Sequence, residues 1–246
     1  MAKVAVIGGT GLTKLANLSI SSRELHVSRY GEPSAPLTFG TLSGTEILFL
    51  PRHGAGHTIP PHQVNYRANI SVLKDAGVDK VIAVNAVGGI TNDMTPQALV
   101  IPDQIIDYTW SRMNTFFEEG LKQVVHIDFT NPYSHALRQR ILQAAAAANI
   151  SIVDGVTYAA TQGPRLETTA EINRLERDGC GIVGMTGMPE AALARELELD
   201  YATCAVVANW AAGRGEGEIT MKEIVAELAG GMKKVAAILE QLVKLV

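Results

Sequence analysis

Arg52 and His53 stand side by side in the run Pro51-Arg52-His53-Gly54-Ala55-Gly56-His57. A guanidinium offers a planar fork of donors that fits an oxyanion, and His53 can donate beside it. The glycines let the backbone come close to a ligand. His53 and His57 also have the spacing of a metal-binding pair on a helix. Two glycines in the segment oppose helical register, however, and no Glu completes the metalloprotease pattern. A surface loop without function is the plain alternative. Gly8-Gly9-Thr10-Gly11-Leu12 is a second candidate anion site. Such a turn exposes backbone N–H groups, and the Thr10 hydroxyl adds a donor. A dinucleotide fingerprint would need a third glycine where Lys14 stands, and no tyrosine has the Lys four residues on that a short-chain dehydrogenase needs. A tight turn with no ligand remains open.

Two further clusters carry polar groups at sharp chain positions. In Met185-Thr186-Gly187-Met188-Pro189-Glu190, Thr186 either caps the following helix or binds an anion near its N-terminus. Met185 reads as a core filler and Glu190 as an acid favoured at a helix start. In Ala208-Asn209-Trp210-Ala211, Asn209 is either a turn residue or a base-reading amide, with one donor side and one acceptor side.

The elements that must position these residues alternate along the chain. Residues 3–7, 46–50, 80–85, 151–158, 181–185 and 201–208 read as strands, and 99–106 as extended chain. Residues 65–76, 134–148, 168–177, 189–197 and 220–245 read as helices. Thr168 has the capping-box spacing to Glu171, and Pro189 opens its helix. The alternation predicts one three-layer α/β domain over residues 1–246, with a mixed, largely parallel central sheet flanked by helices. The polar clusters fall just past strand ends, where open α/β sheets place ligands.

Composition narrows the partners. The net charge of -4, with no block of like charges, opposes a nucleic-acid partner but not a small anion held by a few local donors. Cys180 and Cys204 have no metal-type spacing and read as buried thiols in a reducing compartment. The start of the chain lacks a signal-peptide layout, and its apolar runs are too short to span a bilayer, so a cytoplasmic protein is expected.

Six motifs occur in order along nearly the whole chain: Gly8-Gly9-Thr10-Gly11-Leu12, Pro51-Arg52-His53-Gly54, Asn85-Ala86-Val87-Gly88-Gly89, Gly163-Pro164-Arg165-Leu166-Glu167-Thr168, Met185-Thr186-Gly187-Met188-Pro189-Glu190 and Ala208-Asn209. As an ordered set they resemble the trimeric purine nucleoside phosphorylase and methylthioadenosine phosphorylase family. The resemblance implies a phosphorylase-type fold and a homotrimer with active sites near subunit boundaries. It implies a nucleoside and inorganic phosphate as substrates, with no metal or organic cofactor. It assigns phosphate to Thr10, Arg52, His53 and Thr186. It lines the ribose and base site with Ala86 and Met185, and places Asn209, Trp210 and Ala211 at the purine, with Asn209 near N7.

Departures from the family pattern narrow the substrate. Methylthioadenosine enzymes carry Asp-x-Asp where this chain has Asn209-Trp210-Ala211. A 6-oxopurine leaving with a proton on N7 presents a donor there and an acceptor at O6, which one Asn amide matches. Adenine presents donors at both positions and suits a carboxylate. A buried polar mismatch of this kind discriminates by ~10⁴ or more. Leu166-Glu167-Thr168 resembles the Phe-Glu-Thr of 6-oxopurine enzymes, whose Glu accepts from N1–H. Glu167 either does the same or is an exposed acid leading a helix, and Thr168 touches the base or only caps. By likeness Met221 and Ile224, one turn apart, face the 5′ substituent, where inosine phosphorylases use a His. Core packing is the competing explanation. The expected substrate is 5′-methylthioinosine, with inosine or guanosine, and then methylthioadenosine, as rivals. A hydrolase is disfavoured because no carboxylate cluster is present to activate water.

Overall fold

The computed structural model describes residues 3–9 and 17–246. Thr10, Gly11, Leu12 and Lys14 lie outside the described residues. The elements run β1 (Lys3–Gly8), β2 (Leu18–Glu24), β3 (Leu37–Leu42), β4 (Thr45–Pro51), α1 (Tyr66–Asp75), β5 (Val78–Gly89), β6 (Leu99–Ile101), β7 (Gln104–Asp107), α2 (His135–Ala147), β8 (Val153–Asp154), β9 (Thr157–Ala160), α3 (Thr169–Arg177), β10 (Cys180–Gly184), α4 (Glu190–Glu196), β11 (Asp200–Trp210) and α5 (Met221–Leu242). The central sheet is mixed and mostly parallel, as expected. β1 pairs parallel with β4 and β5, β5 with β11, and β9 with β7 and β10, while β2, β3 and β4 form an antiparallel margin.

Alternation along the strands supplies both faces. Ala5 and Ile7 of β1 pack in one core with Ile70 and Leu73 of α1 and Leu193 of α4. Val4 and Val6 pack in the opposite core with Ile141 of α2 and Ile238 of α5. This is the period-2 pattern of strands buried on both faces, and it gives the three layers. Ile172 and Leu175 of α3 close a smaller cluster over Cys180 and Val183. Side-chain caps fix the helix starts. Thr168 and Thr220 each form a complete capping box, with Glu171 and Glu223 respectively.

Four features differ from the sequence reading. The hairpin β2–β3 carries no strand signal in its sequence, because Leu18–Glu24 is largely polar and lies on a sheet margin where most of its residues meet solvent. β5 does not stop at Gly88-Gly89 but runs through both. A Cβ at Gly89 would stand 1.9 Å from the Met94 carbonyl oxygen, so glycine there admits the crossing loop. The extended stretch 99–106 divides after Ile101 into β6 and β7, which join different partners. Residues 151–158 divide at Gly155, whose φ of +85° turns the chain.

The sheet also forks. β5 pairs with β1 as far as Ala83, then with antiparallel β10 at Gly88 and Gly89. Between those pairings β1 and β10 diverge, and a crevice opens at the strand ends. This is the type of switch point at which α/β sheets hold ligands.

Candidate active site

A cavity of about 700 Å³ fills the fork. Gly9 after β1, Arg52 and His53 after β4, and Val84 and Ala86 of β5 line it. Ala86 is the one exposed position within the buried run of β5, and it opens onto the cavity.

Arg52 is 1% exposed. Its Nε and Nη2 donate to Glu190 Oε2 and Oε1 at 2.7 and 2.8 Å, and Nη1 donates to the Val84 carbonyl at 3.1 Å. Tyr201 donates its hydroxyl to the same carboxylate, 2.9 Å from Oε1. The edge of the fork expected to face an anion therefore faces Glu190, and the donors left for a ligand are the second hydrogens of Nη1 and Nη2. Burial opposes the Arg52 charge, but the adjacent Glu190 carboxylate raises its pKa above the ordinary value.

His53 differs from its expected role as a donor. Its Nδ1 lies 2.9 Å from the Ile59 carbonyl oxygen. A carbonyl can only accept, so Nδ1 carries the proton. Burial, and then the Arg52 charge, pull the imidazole down to about 4. At neutral pH the ring is uncharged, and its remaining nitrogen, Nε2, is an acceptor. His57, with φ +54°, also lines the cavity, its ring centroid 4.7 Å from that of His53.

Thr186 is buried and lines the cavity. It does not cap α4, whose N-cap position is Pro189 with no side-chain cap bond. Its Oγ1 accepts from Asn85 Nδ2 at 2.7 Å, which leaves the hydroxyl proton to be donated elsewhere.

Asn209, Ala211, Met185 and Glu167 also line the cavity. Asn209 Nδ2 donates to the Trp210 carbonyl at 2.7 Å, which orients the amide and leaves one N–H and Oδ1. Glu167 is not a solvated helix-leading acid. It is half-buried and accepts from Thr161 Oγ1 at 2.7 Å. Two expected positions differ. The Trp210 side chain does not line the cavity, because the pleat turns it opposite Asn209 and Ala211, towards Gly215. Thr168 is also absent from the lining, and its hydroxyl accepts from the Glu171 N–H as the cap of α3.

The third wall is apolar. Met221 and Ile224 line it together with Leu228 and Met232. Met221 is 70% exposed, while the buried core residues of α5 begin at Gly231 and Val235. Core packing therefore does not account for Met221.

Several contributors carried no recognisable signal. Glu190 lies 138 residues from Arg52, and its proximity to a helix start suggested only a dipole role. Arg112 donates to the carbonyls of Met185, Met188 and Gln162 at 2.8, 2.6 and 2.8 Å, tying the two loops that carry Glu167 and Thr186. Among the described residues no group of three His, Cys, Asp or Glu side chains is placed to hold a metal. No helix of the described chain is long and apolar enough to cross a membrane.

The phosphorylase superfamily model matches residues 3–244. The chain belongs to the phosphorylase superfamily. This phosphorylase is 55% identical over 239 residues to the probable S-methyl-5'-thioinosine phosphorylase of Pseudomonas syringae pv. tomato, covering 97% of each chain. It is 54% identical over 227 residues to the probable S-methyl-5'-thioinosine phosphorylase of Xanthomonas campestris pv. campestris, covering 92% of this chain and 90% of that one. Its fold superposes on the methylthioadenosine phosphorylase of Schistosoma mansoni in complex with adenine with a TM-score of 0.94 at 32% identity, covering 100% of this phosphorylase and 92% of that chain.

Proposed function

We propose that this enzyme cleaves the N-glycosidic bond of 5′-methylthioinosine with inorganic phosphate, giving hypoxanthine and 5-methylthioribose 1-phosphate. The observation that carries the reading is Asn209 on the cavity wall, with an amide oxygen and one N–H left over after its bond to the Trp210 carbonyl. That pair matches N7–H and O6 of a departing 6-oxopurine. Glu167, half-buried and lining the same cavity, suits N1–H. Met221 and Ile224 suit a methylthio group better than a hydroxyl. The names of the two bacterial relatives agree with this choice.

In the reaction the C1′–N9 bond breaks as positive charge builds on the ribose. The purine takes the electron pair and ends with a proton at N7, matched by the one that hydrogen phosphate gives up on becoming an ester, with Asn209 oriented to hold it. A phosphate oxygen then bonds to C1′. Arg52 and Thr186 donate to the anion, His53 accepts from its O–H, and Thr10 is assigned a further donor from its motif alone. Fixing these groups in advance supplies electrostatic stabilisation without reorganisation. Ala86 and Met185 bound the ribose and base. Phosphate is a co-substrate, and no metal or organic cofactor takes part.

The proposal extends to one domain over residues 1–246, a cytoplasmic location and a homotrimer. Trp110, Met113 and Val124 support association, because they are large apolar side chains exposed on the irregular stretch that includes Arg112.

The test incubates the protein with methylthioinosine, inosine or methylthioadenosine, with and without phosphate, and measures released base. Phosphate-dependent hypoxanthine release, fastest from methylthioinosine, is expected. Faster release of adenine from methylthioadenosine defeats the assignment of Asn209, and preference for inosine defeats the apolar 5′ wall.

A further inference from the structure

Arg52 is the only Lys or Arg among the described residues lining the cavity, and His53 beside it is neutral at working pH. Behind Arg52, away from the cavity, sits Glu190, with no exposed surface. Its two oxygens accept from Nε and Nη2 at 2.7 and 2.8 Å, and Tyr201, itself buried, donates its hydroxyl to Oε1. A carboxylate so placed cannot touch the ligand, yet it neutralises the cradle's fixed cation at close range, where little water intervenes.

We propose that Glu190 is a charge-balancing positioning residue, which makes phosphate binding loose by cancelling Arg52 and so leaves the anion reactive. The inference rests on phosphate lying at Arg52. Its chemical reason is that the attacking oxygen gives up negative charge as it bonds to C1′. An unopposed buried cation would stabilise the free anion more than the transition state, tightening binding while slowing reaction. With Glu190 in place the anion is held by oriented donors of nearly zero net charge.

Two variants test this with opposite signs. Glu190→Gln keeps an acceptor for Arg52 but removes the charge. KM for phosphate should fall roughly tenfold with a parallel fall in kcat, the sign of ground-state over-stabilisation. Inorganic phosphate should also raise its Tm more than that of the unaltered enzyme. Tyr201→Phe strips one hydrogen bond from the carboxylate and concentrates its charge on Arg52. KM for phosphate should then rise, roughly two- to fivefold, with kcat unchanged or higher. If Glu190 merely props Arg52 in place, both variants raise KM and lower kcat, and the proposal is overturned. Should Glu190→Gln not fold, Tyr201→Phe alone decides: a higher KM with kcat retained supports the proposal, and any joint loss of kcat, or no change in KM, overturns it. Absence of phosphate dependence in the unaltered enzyme would instead defeat phosphorolysis itself.

Discussion

His53 illustrates how a neighbour decides a residue's chemistry. Its Nδ1 proton goes to the Ile59 carbonyl, so the neutral ring has only a lone pair to offer a ligand. A ligand oxygen meeting it must bring its own proton. Phosphate retains one at neutral pH and sulfate does not. Sulfate should therefore compete poorly, with an inhibition constant roughly tenfold or more above the KM for phosphate, since a hydrogen bond to a charged group contributes about 1.5–3 kcal/mol. Equal affinities in a competition assay would contradict the tautomer. At Asn209 the relevant change is one atom. Asn209→Asp replaces the remaining N–H with an acceptor, so the ratio of kcat/KM for methylthioinosine over methylthioadenosine should fall by about 10² or more. An unchanged ratio would remove Asn209 from base selection. The sequence showed which residue types gather here, because Arg52, His53, Thr186 and Asn209 all sit in punctuated motifs. It did not show that Arg52 is shared with Glu190 or that His53 donates inward, because those partners come from other elements or from a loop carbonyl.

Among the elements, α5 joins the apolar wall to the core. Its first turns carry Met221 and Ile224, and its last turns bury Val235, Ile238 and Leu242. Between them Gly231 lies so close to β11 that a Cβ would meet Val206 Cγ1 at 2.2 Å. Gly231→Ala should lower stability by about 1–3 kcal/mol through overpacking, whatever the gain in helix propensity. It should also raise KM for methylthioinosine more than for inosine, because displacing the helix displaces its Met221 end. Urea unfolding and the two KM values check this, and a variant more stable than the parent would show that the helix adjusts without strain. Helix ends were the most legible part of the fold, since Asn65, Ser134, Thr168 and Thr220 are all side-chain N-caps. Strand ends were the least legible. Gly88-Gly89 looked like a stop but is a passage for the crossing loop, and a bulge between Val207 and Asn209 extends β11 to Trp210. Both depend on contacts between distant segments, which periodicity does not carry.

For the whole molecule, His53 also links the site to stability against acid. Its pKa of about 4 in the fold lies below the 6.5 of an unperturbed imidazole. Between those values the unfolded chain binds a proton that the folded chain does not, so this contribution to stability is complete above pH 6.5, falls as the pH drops and levels off below pH 4. Urea unfolding at pH 7 and 4.5 should show a smaller loss of stability for His53→Asn than for the parent, and equal losses would refute the shift. Light scattering should give three times the chain mass, and association should weaken if Trp110 and Val124 are both made polar. The fork in the sheet bears on how such a molecule can change over generations. Where β5 passes from β1 to β10, the backbone ladder that sustains the fold and the side chains that choose a ligand become separate inheritances. The Schistosoma enzyme keeps the ladder at a TM-score of 0.94 with only 32% of residues in common, and it holds adenine. A lineage carrying this architecture can alter the rim of the crevice, one amide or one methionine at a time, and acquire a new diet without learning to fold again.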